Sequence, residues 1–212
     1  TGFYGHKNTG DDAFIEVAAW GAEKYWEKRN ILFLSKKEGL PITRKAIAGY
    51  PLTIPKSYHL QNKLLLANAN YLVSAGGSTI HSEMAIKNVK MMATRLKENK
   101  STIKLGAIGV SIGPFNTIKD EKAVFDYLKK LDFLSVRDLA SFEIISQIDL
   151  PYKPINAFDL AALLPKIYNN KDIKRVNNKK KVIAISVCPY EKKRKKKEIL
   201  KEQQRNKMFC QL

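Results

Sequence analysis

The sequence is poor in the residues that build disulfide frameworks, metal clusters and membrane spans. Its 212 residues include two cysteines, Cys188 and Cys210, and three histidines. Two cysteines make neither a disulfide framework nor a zinc cluster, so we expect no bound metal and a reducing, cytoplasmic location. No apolar run is long enough to form a transmembrane helix, and no secretory signal peptide is recognisable.

Acidic residues are scarce as well, and the shortage is greatest near the carboxyl terminus. The chain has 38 lysines and arginines against 20 acidic residues, and residues 166–212 alone carry +12 of the total charge of +18. A basic run of this kind can bind nucleic acid or anionic lipid. Because zinc spacing, a basic zipper and aromatic-basic RNA motifs are missing, we do not expect nucleic-acid binding. The tail is interpreted as a solvated face or as a peripheral contact with an anionic membrane.

Strand-like and helix-like segments alternate along residues 1–165. Short apolar runs predict buried strands at 30–35, 71–75, 102–111 and 133–136, and residues 36–56 are predicted to be largely irregular. Helices are predicted in the first 22 residues, at 57–70, directly after Gly76–Ser78, at 121–131 and at 139–147. The alternation predicts an α/β, Rossmann-like fold, in which helices flank a parallel sheet. Such folds bind ligands at the carboxyl ends of the strands.

Helical spacing also predicts which side chains are buried. The predicted apolar faces are Phe14, Val17, Ala18, Gly21, Ala22 and Tyr25 in the first helix, Leu60, Leu64 and Ala67 in the second, Ala85, Val89, Met92 and Leu96 in the third, and Val124, Leu128 and Leu131 in the fourth. Each set recurs every three or four residues, which is typical of a helix that packs on a sheet.

The turn before the first helix carries the densest group of polar residues. Thr9, Asp11 and Asp12 are all candidate helix N-caps, and Asn8 and Gly10 lie beside them. A helix N-terminus ordinarily favours an anion, but two aspartates already place negative charge here. We therefore expect this turn to hold hydroxyls, or a group that must lose a proton. The alternative is that one aspartate caps the helix and the other is solvated.

Three further strand ends are expected to meet this turn at the same edge of the sheet. The candidate substrate-binding residues at these ends are Gly76, Gly77, Ser78 and Asn116, together with Asn8, Gly10 and Asp12 of the acidic turn. The two glycines could instead simply form the turn, and Ser78 could cap the next helix. Arg137 could hold a carboxylate or a phosphate bidentately, or it could pair with Asp138 or Glu143.

The carboxyl-terminal part reads as the beginning of a second domain. Residues 166–180 are predicted to be a basic linker, and KVIAISV at 181–187 has the composition of another buried strand. One strand and one charged helix cannot bury a core, so we expect 181–212 to be the truncated start of a second α/β domain. The opening residues TGFY are likewise expected to be the last part of a strand.

Five motifs in order resemble the polysaccharide pyruvyl transferase family. They are GFYGHKNTGDDA at 2–13, LVSAGGS at 72–78, GVSIGPF at 109–115, SVRDLAS at 135–141 and DLAALLP at 159–165. The resemblance implies a glycosyltransferase-B-like pair of Rossmann-like domains, with 1–165 as the acceptor-side domain and 181–212 as the start of the donor-side domain. It also implies transfer of the pyruvyl group of phosphoenolpyruvate onto an exopolysaccharide or cell-wall sugar as a ketal.

Individual roles follow from the same resemblance. The acidic residue of the family's N-x-G-D motif corresponds to Asp11, which would engage the acceptor hydroxyl. The arginine of the V-R-D motif corresponds to Arg137, which would hold an anionic group or the closed cleft. The family's catalytic histidine and further donor-binding basic residues belong to the second domain, so this chain is expected to be an incomplete copy. The implied partners are phosphoenolpyruvate, as donor substrate and not as a cofactor, and a glycan or lipid-linked sugar acceptor.

Two functions of other classes remain as alternatives. A sugar-nucleotide-dependent glycosyltransferase would have a similar two-domain shape and would differ in its donor. A non-catalytic glycan-binding remnant would bind the acceptor without turnover, and salt would weaken that binding if the basic tail contributed to it.

Overall fold

The computed structural model describes residues 1–35, 37–50, 54, 57–99, 101–168 and 207. The chain divides into two compact units, Thr1–Asp172 and Ile173–Leu212, and every element below belongs to the first. The predicted strand at 181–187 and all but one residue of the predicted helix at 191–212 lie outside the described residues. The predicted boundaries of the domains and the linker stay predictions.

Strands and helices alternate along the first unit, which confirms the predicted α/β class. In chain order the elements are α1 (Thr9–Trp26), β1 (Leu32–Leu34), a 3-10 helix (Lys37–Gly39), β2 (Ala48–Tyr50), α2 (Tyr58–Asn68), β3 (Tyr71–Ala75), α3 (Val89–Glu98), β4 (Lys104–Val110), α4 (Ile118–Leu128), β5 (Phe133–Val136), α5 (Leu139–Ser146), β6 (Ile155–Asn156), a second 3-10 helix (Leu160–Leu163) and α6 (Leu164–Ile167). Within the described part of the chain, no helix is long and apolar enough to cross a membrane.

The central sheet is parallel throughout and has the strand order β3-β4-β5-β6. Thr1 lies along the free side of β3, because its nitrogen donates to the Val73 carbonyl at 2.6 Å and the Ala75 amide donates to the Thr1 carbonyl at 3.1 Å. All these segments run in one direction, so their carboxyl ends share one edge. The predicted strand at 30–35 is real but shorter, and it pairs with β2 in a separate two-stranded sheet.

Helices cover both faces of the central sheet. Successive strand residues point to opposite faces, and in β4 Ala107 belongs to one core cluster while Ile108 packs against the other. The larger cluster contains the predicted stripe of α4, since Val124, Leu128 and Leu131 are all buried. The smaller cluster packs α1 against the sheet.

The first helix begins and ends differently from the prediction. Asn8 is its N-cap, and neither Thr9, Asp11 nor Asp12 has that role. The backbone of Asn8 is extended, and its Oδ1 accepts the Gly10 amide at 3.1 Å. The prediction that Tyr25 is buried was wrong. Tyr25 is 64% exposed and packs edge-on against Trp20 of its own helix.

The buried face of α2 was also predicted wrongly. Leu60, Leu64 and Ala67 are exposed, and the buried residues are Gln61, Asn62 and Leu66. Local hydrogen bonding makes a buried glutamine acceptable here, because the Gln61 side chain donates to the Ser57 hydroxyl at 2.7 Å. In this helix the regularly spaced apolar residues therefore lie on the exposed face.

The third helix starts ten residues later than expected. It begins at Val89 with Asn88 as its N-cap, so Ser78 does not cap it and Ala85 is exposed. Before the helix, the chain continues beside the end of β4. Ile80 forms a parallel bridge with Ile112, and the Gly113 amide donates to the Ile80 carbonyl at 3.0 Å. This extra pairing delays the helix.

Two neighbouring glycines after β3 have the same backbone conformation but different surroundings. Gly76 and Gly77 have φ values of +70° and +76°, which is the left-handed region. A Cβ at Gly76 would overlap the ring of Phe14 in α1. A Cβ at Gly77 would meet nothing closer than the Thr79 methyl at 3.7 Å.

We expect Gly76→Ala to lower the free energy of unfolding by about 2–5 kcal/mol, since left-handed strain costs about 1–2 kcal/mol and overpacking adds about 1–3 kcal/mol. Gly77→Ala is the matched control and should lose only about 1–2 kcal/mol from strain. Urea unfolding of the two variants measures the difference. Equal losses would contradict a tight contact between Gly76 and Phe14.

Candidate functional site

The acidic turn places the Asp11 carboxyl group through a contact with Asn8. The Asn8 side chain has two roles, because its Oδ1 caps α1 and its Nδ2 donates to Asp11 Oδ2 at 2.7 Å. Asp11 lies in the first turn of the helix and is only 9% exposed. A single asparagine therefore both starts the helix and orients the carboxylate.

Burial raises the pKa of Asp11 above its ordinary value. The hydrogen bond from Asn8 opposes that shift, the neighbouring Asp12 charge adds to it, and His6 and Arg137 oppose it. The net result is a carboxylate that binds a proton more readily than an exposed aspartate does. A carboxylate with a raised pKa is a stronger base when it is ionised.

Asp12 offers an acceptor atom that the described part of the chain leaves unused. Its Oδ1 is buried and has no hydrogen-bond partner among the described residues. A buried carboxylate oxygen without a donor is costly, and a donor from outside the chain would relieve that cost. A sugar hydroxyl supplies such a donor.

Arg137 lies at the end of β5 and makes contacts at three other strand ends. Its Nε donates to Ser111 Oγ at 2.8 Å, its Nη1 to Asp159 Oδ2 at 2.7 Å and its Nη2 to Ser78 Oγ at 3.2 Å. The Ser111 hydroxyl in turn donates to Asp138 Oδ2 at 2.6 Å. These contacts use three of the five guanidinium N–H groups, which leaves two for a ligand.

The acidic partner of Arg137 was predicted wrongly. The partner is Asp159, and neither Asp138 nor Glu143 pairs with it. Asp138 is the N-cap of α5 and accepts the Ser141 amide at 2.8 Å. Partial burial opposes ionisation of Asp138, but hydrogen bonds from Ser111 and Ser141 hold its pKa below the usual value.

Asp159 is the partner of Arg137 that sequence reasoning missed, whereas Ser111 belongs to one of the strand ends expected to converge. Asp159 caps the second 3-10 helix by accepting the Ala161 amide at 2.9 Å. It follows a strand of only two residues, which is too short to give a period-two pattern. The available signal was an aspartate directly before the apolar run LAALL, which is a typical helix start.

The predicted glycine loop lies at this edge, whereas Asn116 does not join the cluster. The Gly76 amide donates to the Ile108 carbonyl at 2.9 Å, and the Ser111 amide donates to the Gly77 carbonyl at 3.0 Å. Asn116 is exposed and directly precedes the N-cap of α4. Within the described residues, no hydrogen bond connects Asn116 to Arg137 or its partners.

The candidate site is an open edge of the sheet. A cavity of about 840 Å³ lies elsewhere in the first unit, and neither Asp11 nor Arg137 lines it. Its lining includes Trp26, Leu32, Leu64 and Tyr71.

The family model of polysaccharide pyruvyl transferases matches residues 8–207. This match spans most of the chain, so the chain belongs to the polysaccharide pyruvyl transferase family, as its motifs indicate. The Rossmann-like α/β architecture agrees with that membership. No curated protein sequence and no solved structure matches the chain. Membership supports a general role in polysaccharide pyruvylation and a glycan as the acceptor.

We expect Asp11→Asn to be at least as stable as the wild type at pH 7. The pKa of Asp11 is raised in the folded state, so the folded protein holds its proton more tightly than the unfolded chain does. Stability from this group is greatest below the ordinary pKa of 3.8 and is lost as the pH rises through the shifted value. Asparagine avoids this loss and keeps an oxygen that can accept from Asn8.

Urea unfolding at pH 4 and pH 7 tests this expectation, with Asp126→Asn on the exposed side of α4 as the control. The free energy of unfolding of Asp11→Asn, relative to that of the wild type, should be higher at pH 7 than at pH 4. The raised pKa would be contradicted if the free energy of unfolding of Asp11→Asn, taken relative to the wild type, were lower at pH 7 than at pH 4.

Proposed function

We propose that this chain acts in the transfer of the pyruvyl group of phosphoenolpyruvate onto two hydroxyls of one sugar. In the first step a sugar oxygen bonds to C2 of the donor, the hydroxyl proton goes to a base, and the methylene carbon takes up a proton and becomes a methyl group. In the second step another hydroxyl of the same sugar displaces phosphate from C2. The products are a cyclic ketal and inorganic phosphate.

The observation that carries the proposal is the buried Asp11 carboxylate, which interacts electrostatically with Arg137 at the strand ends. Asp11 is assigned as the base that accepts the proton of the attacking hydroxyl. Its raised pKa supports this role, because a stronger base takes the proton more readily. The hydrogen bond from Asn8 leaves the second carboxylate oxygen for the acceptor.

Arg137 is assigned to an anionic group of the donor. Its guanidinium is already oriented by Ser78, Ser111 and Asp159, and its side chain is 24% exposed. Fixed donors that are aimed at developing negative charge stabilise a transition state without reorganisation. The two N–H groups left over suit a carboxylate or a phosphate oxygen.

The surroundings of Asp11 suit a sugar ring. The rings of Phe3 and His6 stack 4.1 Å apart, and Phe3 is 60% exposed beside the acidic turn. An exposed aromatic face offers an apolar platform, and nearby carboxylate and hydroxyl oxygens can accept from sugar hydroxyls. We assign Asp12 and Ser78 to these polar contacts, and Gly10 and Gly77, which have room for a Cβ beside them, to the backbone that lets the ligand approach.

The acceptor is proposed to be a glycan of an exopolysaccharide or a cell wall, or its lipid-linked precursor, in the cytoplasm. A lipid-linked acceptor would be presented at an anionic membrane surface. The basic segment 166–212 is suited to a peripheral contact there, because each lysine or arginine near such a surface contributes about 1 kcal/mol. No cofactor is assigned.

Turnover of the 212-residue chain with phosphoenolpyruvate and lipid-linked or tagged oligosaccharides tests the proposal. Phosphate release and the mass of the acceptor are measured together, because a ketal requires both to change. Asp11→Asn should lower kcat by about 10²–10⁴, the usual contribution of a general base. Arg137→Lys should lower it by about 10², because a lysine keeps the charge but loses the fork of donors.

Asp126→Asn serves as the control and should keep full activity. Full activity in Asp11→Asn or Arg137→Lys would remove that residue from the mechanism. Two other outcomes would replace the function itself. Glycosyl transfer from a sugar nucleotide, without any reaction of phosphoenolpyruvate, would favour a glycosyltransferase. Acceptor binding without turnover of either donor would favour a glycan-binding remnant.

A further inference from the structure

A buried lysine lies behind the glycine loop and is not used by the proposed reaction. Lys90 is in the first turn of α3 and is only 6% exposed. Its ammonium group approaches the hydroxyl of Thr79 at 3.2 Å and the carbonyl of the same residue at 3.4 Å. In the described part of the chain, no carboxylate forms an ion pair with it.

This arrangement is costly for a side chain that only fills space. A buried ammonium without an anionic partner loses hydration that two neutral acceptors replace only in part. Burial accordingly lowers the pKa of Lys90 from 10.5 to about 8. An apolar residue of similar length would avoid this cost, so the contact that the ammonium group makes is the feature that distinguishes lysine here.

The residue that Lys90 contacts belongs to the loop that carries Ser78. This loop lies against the end of β4, where the Ser111 amide donates to Gly77 and the Gly113 amide donates to Ile80, both at 3.0 Å. Ser78 lies between those two contacts and accepts from Arg137. β4 therefore holds the loop on one side, and Lys90 holds it from α3.

We propose that Lys90 is a positioning residue, which anchors the loop 76–80 through Thr79 and so keeps the Ser78 hydroxyl in contact with the Arg137 guanidinium. The ammonium group contacts Thr79 and does not contact the substrate. The substrate would contact Ser78 and Arg137, whose positions depend on the anchored loop. Its effect on turnover rests on the proposed function, whereas its effect on the loop does not.

Amide hydrogen exchange tests the anchor without an activity assay. In Lys90→Met the amides of Ser111 and Gly113, which donate to the loop, should lose at least about tenfold in protection. The Asp132 amide, which donates to the Leu105 carbonyl at 2.7 Å just before β5 begins, serves as the internal reference and should not change. Lys87→Met is the matched control, because Lys87 is exposed two residues before the helix.

Unchanged protection of Ser111 and Gly113 in Lys90→Met would overturn the proposal, as would an equal loss of protection at the Asp132 amide. Thr79→Val is the second variant, and it tests the anchor even if Lys90→Met does not fold. It removes the Thr79 hydroxyl and keeps the Thr79 carbonyl as an acceptor for Lys90. We therefore expect a smaller loss of exchange protection at the Ser111 and Gly113 amides than in Lys90→Met. No loss in Thr79→Val would count against the anchor.

Turnover and thermal stability separate positioning from simple packing. Lys90→Met should keep or raise the Tm at pH 7, because it removes an unpaired buried charge, and it should lower kcat at least tenfold with little change in KM for the acceptor. A lower Tm with unchanged kcat would assign Lys90 to packing alone. If the wild type does not turn over phosphoenolpyruvate, the proposed function fails, while the exchange experiment still decides the role of Lys90.

Discussion

The guanidinium of Arg137 connects the ends of all four strands of the central sheet. It follows β5 and contacts Ser78 after β3, Ser111 after β4 and Asp159 after β6. Hydrogen bonds to a charged group contribute about 1.5–3 kcal/mol each, and a buried or half-buried partner left alone costs a similar amount. The geometry of the whole edge therefore depends on this one side chain, and its loss would disturb both the loops and the chemistry.

The charge of the edge favours a neutral ligand over an anionic one. Asp11 and Asp12 lie in the first turn of α1, and Asp138 and Asp159 follow β5 and β6, against the Arg137 guanidinium and the exposed Lys7. A donor with several negative charges would meet repulsion over most of this surface. Sugar hydroxyls, in contrast, can donate to each free carboxylate oxygen. This balance supports the assignment of the described edge to the acceptor, with only one anionic group of the donor reaching Arg137.

Apolar patterns predict the frame of the fold, and polar contacts decide the details that they miss. The alternation of elements was enough to place Ser78 and Arg137 at one edge, since parallel strands end on the same side. The buried face of α2 could not be predicted from apolar spacing, because it includes the polar residue Gln61. The hydrogen bond from Gln61 to Ser57 lowers the cost of burying that side chain. Asp159 was missed because β6 is only two residues long. Such contacts join residues that are distant in the chain or leave no periodic signal.

Two groups of opposite charge at or behind this edge are both destabilised in their ionised forms. Burial raises the pKa of Asp11 and lowers that of Lys90, so each would be replaced if stability alone selected the residue. Natural proteins tend to keep such locally unfavourable residues at positions where a functional site requires them. Asp11 lies on the surface where an acceptor would bind, whereas Lys90 lies behind the loop that supplies Ser78. In the proposed mechanism the acid therefore acts on the ligand directly, and the lysine acts through the loop.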